Sequence, residues 1–91
     1  MTDLLVSTAM KIFRAIDDLM VRDGIVYKTR IIRKAHINCM TYYHFEKTLL
    51  KNDILKRIPQ TDKRAKDKKI KYYDVGKNYY LFRDFVRSFQ D

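Results

Sequence analysis

Glycine, proline and cysteine are scarce in this sequence. Its 91 residues include two glycines, one proline and one cysteine. Cys39 therefore has no partner for a disulfide within the chain, and such cysteine usage is typical of a reducing compartment. Two glycines are too few for a glycine-rich phosphate-binding loop, so that kind of site is excluded. Gly24, Pro59 and Gly76 are expected to mark boundaries between secondary-structure elements.

Long apolar runs and chemically reactive clusters are also lacking. No run approaches the roughly 20 residues needed to cross a bilayer, and the first residues lack the basic segment of a secretory signal, so we expect a cytoplasmic protein. His36 and His44 do not share a helical i,i+4 spacing, and no Cys/His cluster is present. We therefore expect no metal and no other cofactor. Without a Ser/His/Asp, Cys/His or paired-carboxylate constellation, we also expect no enzymatic activity.

Positive charge is abundant. Twenty Lys and Arg face eleven Asp and Glu, which gives a formal net charge of +9 on a chain short enough for one domain. This balance indicates an anionic partner, of which nucleic acid is the commonest and an anionic membrane the next. The basic residues concentrate in a loop and two short segments rather than along one amphipathic helix. This distribution argues against binding to a membrane surface.

Helical periodicity dominates the first half of the chain. Apolar residues recur at helical spacing from Asp3 to Arg22 and predict a first helix, which ends at Gly24. Lys28 to Ala35 predicts a second helix, short and basic. Asn38 is expected to cap a third helix that runs to about Asn52.

The second half predicts a hairpin with a charged tip. Ile54 to Ile58 reads as a strand closed by Pro59, and Ile70 to Tyr73 as the returning strand. Residues 60–69 between them are polar and highly charged, and we expect this loop to become ordered only when it binds a partner.

A last helix is expected to open at Asp74 or Val75. Three helices, a β-hairpin and a final helix form the layout of a winged helix-turn-helix, an α+β fold. Within a single domain spanning residues 1–91, the helix-turn-helix falls at about 28–52, the wing at about 54–73 and the C-terminal helix at about 75–90.

A family resemblance rests on residues in and after the second helix. Lys28-Thr29-Arg30-Ile31 is followed by Ala35-His36-Ile37-Asn38, then by Phe45, Leu49 and Ile54. This pattern resembles archaeal winged helix-turn-helix DNA-binding proteins of the small basic chromatin and regulator type. The resemblance implies a winged helix, a homodimer and DNA binding. The loop between the predicted strands is longer and more basic here than is usual in that family.

The predicted fold assigns DNA contacts to three regions. The third helix is expected to enter the major groove, and the second helix and the wing to contact phosphates. Arg64 is the candidate for insertion into the minor groove, and Arg30 for a structural ion pair. The expected contact residues are Lys28, Thr29, Arg33, Lys34, Asn38, Met40, Tyr43, His44, Lys47, Lys63, Arg64, Lys66, Lys68 and Lys69. Tyr42 is expected to lie in the core.

The first and last helices carry more apolar residues than a monomer of this length is expected to need. A twofold interface built from them would use the surplus and present two recognition helices to successive major grooves. The residues expected at this homodimer interface are Leu5, Ile12, Leu19, Tyr79, Phe82, Phe85 and Phe89.

Three functions fit these expectations. The favoured one is a regulator of transcription that binds double-stranded DNA at a specific site. A non-specific architectural chromatin protein has the same fold and differs in its specificity ratio. The third is a winged helix used as a protein-interaction module, in which the basic surface contacts an acidic protein. No small-molecule ligand is evident.

Overall fold

A computed structural model describes residues 2–88 of the chain, with side chains described from residue 6 onward. Within that part, four helices and three strands alternate. In chain order they are α1 (Thr2–Arg22), β1 (Val26–Tyr27), α2 (Lys28–Ala35), α3 (Cys39–Lys51), β2 (Leu55–Arg57), β3 (Tyr72–Val75) and α4 (Tyr79–Arg87). No helix in the described residues is long and apolar enough to cross a membrane.

The strands form one antiparallel sheet in the order β1-β3-β2. Val26 lies opposite Tyr73, and Leu55 lies opposite Val75. The molecule is therefore a small α+β domain, an arrangement compatible with the predicted winged helix. β1 was not expected from the sequence. Its two residues are held by pairing with β3, more than forty positions away in the chain.

The core lies between α1, α2, α3 and the sheet. Ile16, Ile31, Tyr42 and Tyr79 are wholly buried there, so the prediction that Tyr42 belongs to the core is confirmed. Burial of such side chains contributes on the order of 2 kcal/mol each, which makes this cluster the main source of stability.

Hydrogen bonds of a buried tyrosine, Tyr79, connect helix α4 to α1 inside this core. The Tyr79 hydroxyl lies 2.8 Å from Asp17 Oδ1 and 3.0 Å from the Phe13 carbonyl oxygen. Arg83 and Arg87 form ion pairs with the same Asp17 carboxylate, at 3.4 and 3.2 Å. Burial, followed by the hydrogen bond to Asp17, raises the pKa of Tyr79 well above its usual value. Tyr79 is therefore neutral and can donate its hydrogen bond at any ordinary pH.

The two helices of the predicted helix-turn-helix agree closely with expectation. α2 has the predicted bounds, and α3 begins directly after Asn38. The Asn38 side-chain oxygen accepts a hydrogen bond from the Thr41 N–H at 2.7 Å, which confirms the predicted cap. His36, at φ 57°, adopts the left-handed conformation that ends α2 and turns the chain toward α3.

The predicted positions of the hairpin strands and of the last helix need correction. β3 begins at Tyr72 and includes Asp74 and Val75, which were expected to open α4. The Gly76 N–H donates to the Ile54 carbonyl at 2.8 Å and so continues the sheet contact beyond Val75. Only after this crossing does α4 begin, at Tyr79.

The loop between β2 and β3 has a defined structure, whereas the sequence led us to expect a loop that becomes ordered only on binding. Ala65 is buried in a second small apolar cluster with Ile58 and Tyr72. Arg64 forms ion pairs with Asp62 at 3.1 Å and Asp74 at 3.0 Å. The Asp67 N–H donates to the Tyr72 hydroxyl at 3.2 Å. These contacts fold the loop back against its own strands.

Three of the residues expected at the dimer interface are buried within the single chain, and two lie outside the described part. Ile12, Leu19 and Tyr79 are buried within the single chain, because α1 packs against α2 and α4 and uses these side chains itself. Phe82 is half-buried, and Phe85 is 59% exposed. The side chain of Leu5 and the whole of Phe89 lie outside the described residues.

Candidate nucleic-acid interface

Helix α3 presents an exposed face that matches the predicted recognition surface. Met40 and Tyr43 are 67% and 47% exposed, and His44 and Lys47 are exposed beside them. These positions recur every three to four residues, so they share one side of the helix. The Asn38 side-chain oxygen is occupied by the cap, which leaves its amide N–H groups for any further contact. The face combines a thioether, a phenol, an imidazole and an ammonium group.

Lys28 connects this face to α2. Its Nζ donates to the Tyr43 hydroxyl at 2.5 Å, and this hydrogen bond raises the pKa of Lys28. Because Tyr43 accepts from Lys28, its own O–H remains free to donate. The pair therefore offers a cation and a hydroxyl donor at the same place.

A cleft of about 350 Å³ separates α3 from the returning strand of the hairpin. We refer to it as the lysine cleft, because three of its lining residues are lysines. The lining residues are Tyr27, Lys28, Thr29, Tyr43, Glu46, Lys69, Ile70, Lys71 and Tyr73. The structure thus brings together four of the predicted contact residues, namely Lys28, Thr29, Tyr43 and Lys69.

Glu46 is the only acid among the residues that line the cleft. Glu46 Oε1 accepts a hydrogen bond from the Tyr73 hydroxyl at 2.7 Å. Glu46 Oε2 is buried and has no hydrogen-bond partner among the described residues. Burial, and then this hydrogen bond, raise the pKa of Tyr73 above its usual value. With three lysines and one glutamate, the lining of the cleft has an excess of positive charge.

The predicted wing cations are exposed, with one exception. Lys63, Lys66, Lys68 and Lys69 are all exposed. Arg64 instead lies in its two ion pairs, which raise its pKa further above an already high value. The minor-groove contact expected of Arg64 stays a prediction, and in this structure its guanidinium is held by Asp62 and Asp74.

Arg33 and Lys34 lie in a different place from the cleft. Both are exposed and line an open depression with Arg22 and His36. Arg30, at the edge of that depression, donates to the Asp23 carboxylate at 2.9 Å and to the Ile25 carbonyl at 2.7 Å. The prediction of a structural ion pair for Arg30 is confirmed, and this pair lowers the pKa of Asp23.

Protein-family models, curated proteins and solved structures give no match to this chain. The site must therefore be interpreted from its own chemistry. Among residues 2–88, no group of three or more His, Cys, Asp or Glu side chains could hold a metal ion. Cys39 is exposed at the first position of α3.

Five residues of the cleft were not among the expected contact residues: Tyr27, Glu46, Ile70, Lys71 and Tyr73. No local pattern marks Tyr27 and Tyr73, because the pairing of β1 with β3 brings them to the cleft. Lys71 was recognisable as one more cation of the hairpin. Its position opposite Lys28 and Tyr43 depends on how the hairpin packs against α3.

Proposed function

We propose that this protein binds double-stranded DNA as a winged helix-turn-helix regulator. In this proposal α3 enters the major groove, with Met40, Tyr43 and His44 facing base edges and Lys47 near the backbone. The β2–β3 hairpin, as the wing, follows the neighbouring backbone. The observation that carries the proposal is that Tyr43, from the exposed face of α3, lines one cleft together with Lys28 of α2 and with Lys69 and Lys71 of the hairpin.

The electrostatics favour a polyanion as the partner. The outward cations of the hairpin face few acids, because Asp62 and Asp74 are already bound to Arg64. A surface of this kind attracts the dense charge of duplex DNA and releases its counterions on binding. Affinity should then fall steeply as salt rises.

The decisive experiment is a fluorescence-anisotropy titration against random and genomic-fragment duplexes at about 50 to 300 mM salt. Salt-sensitive binding with one fragment preferred by about a thousandfold or more supports the regulator. Equal affinity for all duplexes supports the architectural chromatin alternative. Absence of duplex binding even at about 50 mM salt overturns the proposal and favours the protein-interaction module.

Two variants separate base contacts from backbone contacts in the same assay. Tyr43→Ala combined with His44→Ala should reduce the preference for the favoured fragment, because both residues lie on the α3 face. Lys66→Gln combined with Lys68→Gln should weaken binding to all duplexes about equally, because phosphates carry no sequence information. Lys11→Gln combined with Arg14→Gln, two exposed changes on α1, removes the same number of charges and is the control for loss of charge alone.

We further propose that the protein acts as a homodimer through the exposed apolar face of α4. Leu81 and Phe85, 68% and 59% exposed, border a wholly apolar depression with Phe82. Light scattering coupled to gel filtration tests this. The wild type should have the mass of two chains, and Leu81→Glu with Phe85→Glu should have the mass of one. A wild-type mass of one chain at high concentration would contradict the dimer.

A further inference from the structure

The lysine cleft has the composition of a site for one phosphate group. Lys28, Lys69 and Lys71 supply three ammonium groups, and none of them forms an ion pair with an acid anywhere in residues 2–88. Three lysines and a single acid, Glu46, leave an excess of positive charge around one cleft, which favours an anion because like charges repel. Glu46 Oε1 accepts from Tyr73, and its Oε2 is buried.

Hydroxyl donors accompany these cations. Tyr43 accepts from Lys28 and keeps its O–H available, and Thr29, which also lines the cleft, is exposed. Thr29 stands in the first turn of α2, a helix that has neither a side-chain cap nor an acidic residue in that turn. The N–H groups at the start of α2 therefore add to the preference of the cleft for an anion.

We propose that the lysine cleft binds a single phosphodiester of the DNA backbone. Lys28, Lys69 and Lys71 surround the charge, and the Tyr43 and Thr29 hydroxyls donate to the phosphate oxygens. This inference rests on the proposed function and deepens it. A phosphate held between α3 and the wing would fix both elements on the duplex at once and so set the depth of α3 in the groove.

Salt dependence measures the number of phosphates that are neutralised, so it tests the cleft directly. Because Lys28 and Lys69 remain beside the same phosphate, Lys71→Gln should reduce the slope of log affinity against log salt by part of the roughly 0.9 that one phosphate contributes, and should weaken binding several-fold near 0.1 M salt. Lys11→Gln removes the same charge from an exposed position on α1 and should leave the slope unchanged. Far-UV circular dichroism and thermal melting confirm that both variants fold.

A second pair of variants isolates the hydroxyl. Tyr43→Phe keeps the ring and removes only the hydroxyl that accepts from Lys28 and, in this proposal, donates to the phosphate. This change should weaken duplex binding several-fold. Tyr80→Phe, at an exposed tyrosine on α4, should have no effect. Equal slopes for Lys71→Gln and Lys11→Gln, with the wild type binding duplex normally, overturn the cleft assignment and leave DNA binding intact.

The remaining outcomes are equally decisive. If the wild type binds no duplex, the proposed function and this inference both fail. A free phosphate monoester presents similar oxygens, so adenosine monophosphate is titrated while tyrosine fluorescence is followed. We expect no saturable binding at millimolar concentration. Saturable binding that Lys71→Gln abolishes would overturn the backbone assignment in favour of a small-molecule site.

Discussion

Tyr42 and Tyr73 are two buried tyrosines near Glu46, yet only one of their hydroxyls has a partner. The Tyr73 hydroxyl donates to Glu46 at 2.7 Å, and the Tyr42 hydroxyl has no hydrogen-bond partner among the described residues. The same Tyr→Phe change should therefore have unequal effects at the two positions. A partnered buried group is costly to orphan, whereas removal of an unpartnered one relieves a desolvation penalty.

Tyr73→Phe should lower the free energy of unfolding by about 1–3 kcal/mol, because it leaves the Glu46 carboxylate without its donor. Tyr42→Phe should change that free energy by less than about 1 kcal/mol, or increase it. Urea denaturation followed by circular dichroism measures both. If Tyr42→Phe proves as destabilising as Tyr73→Phe, the Tyr42 hydroxyl has a partner and the argument fails.

Three buried tyrosines also couple stability to alkaline pH. Burial raises the pKa of Tyr42, Tyr73 and Tyr79 in the folded chain, whereas in the unfolded chain they ionise near 10. The unfolded state therefore releases protons first, so stability is intact below about pH 10 and falls as the pH rises above it. Denaturation midpoints should therefore hold near pH 8 and decline as the pH rises from about 10 to 11, and Tyr79→Phe should make the decline shallower. An unchanged slope in that variant would count against the linkage.

At the scale of elements, Gly76 is required where the chain crosses from β3 to α4. A Cβ at this position would lie 2.1 Å from the Asp53 carbonyl oxygen, a backbone atom that cannot rotate away. Gly76→Ala should cost about 3 kcal/mol or more in unfolding free energy, since the backbone must shift.

Gly24 is the matched control for this substitution. It has φ +72° but nothing within 4 Å of an added Cβ. Gly24→Ala should therefore cost only the backbone strain, about 1–2 kcal/mol. Chemical denaturation compares the two variants, and equal losses would show that the close approach to Asp53 is not the cause.

Arg64 should govern the order of the hairpin loop rather than contact DNA directly. Its guanidinium joins Asp62 to Asp74 and so ties the loop to β3. Arg64→Gln should accelerate amide hydrogen exchange across residues 60–70, and Lys63→Gln should not. Mass spectrometry of the exchanged protein measures this. Equal exchange in the two variants would mean that the apolar cluster under Ala65 alone orders the loop.

The elements that the sequence predicted well are those whose causes are local. α2 and α3 follow from periodicity and from the Asn38 cap, all within neighbouring turns. β1 and the start of α4 follow from pairing with distant residues, which leaves no local pattern. Only about half of the residues that line the cleft could be predicted, again because the others come together through distant contacts. Its α2 and α3 residues share helix faces, whereas the approach of Lys71 depends on hairpin packing.

At the scale of the molecule, the apolar surplus assigned to a dimer was largely the core of one chain. Ile12, Leu19 and Tyr79 are buried where α1 packs against α2 and α4, and sequence periodicity does not reveal this packing. On α4, the apolar side chains that remain exposed are Leu81 and Phe85, a smaller surface than the predicted interface.

The net charge of +9 should make salt act in opposite directions on folding and on binding. Salt screens repulsion among the unpaired cations, so the melting temperature should rise by a few degrees between about 50 and 300 mM sodium chloride. Over the same range duplex affinity should fall. Scanning fluorimetry beside the anisotropy titration checks both. A melting temperature that falls with salt would show that the six ion pairs found in residues 2–88 outweigh the repulsion.

The ion pairs of Arg64 with Asp62 and Asp74 have a kinetic consequence. It is the only arginine between β2 and β3, so every outward cation of that loop is a lysine. An ammonium group is a compact charge without the fixed fork that locks a guanidinium to one phosphate geometry. Contacts of this kind can be exchanged from one phosphate to the next at little cost. We therefore expect the loop to let the protein slide along DNA, while the face of α3 determines where it stops.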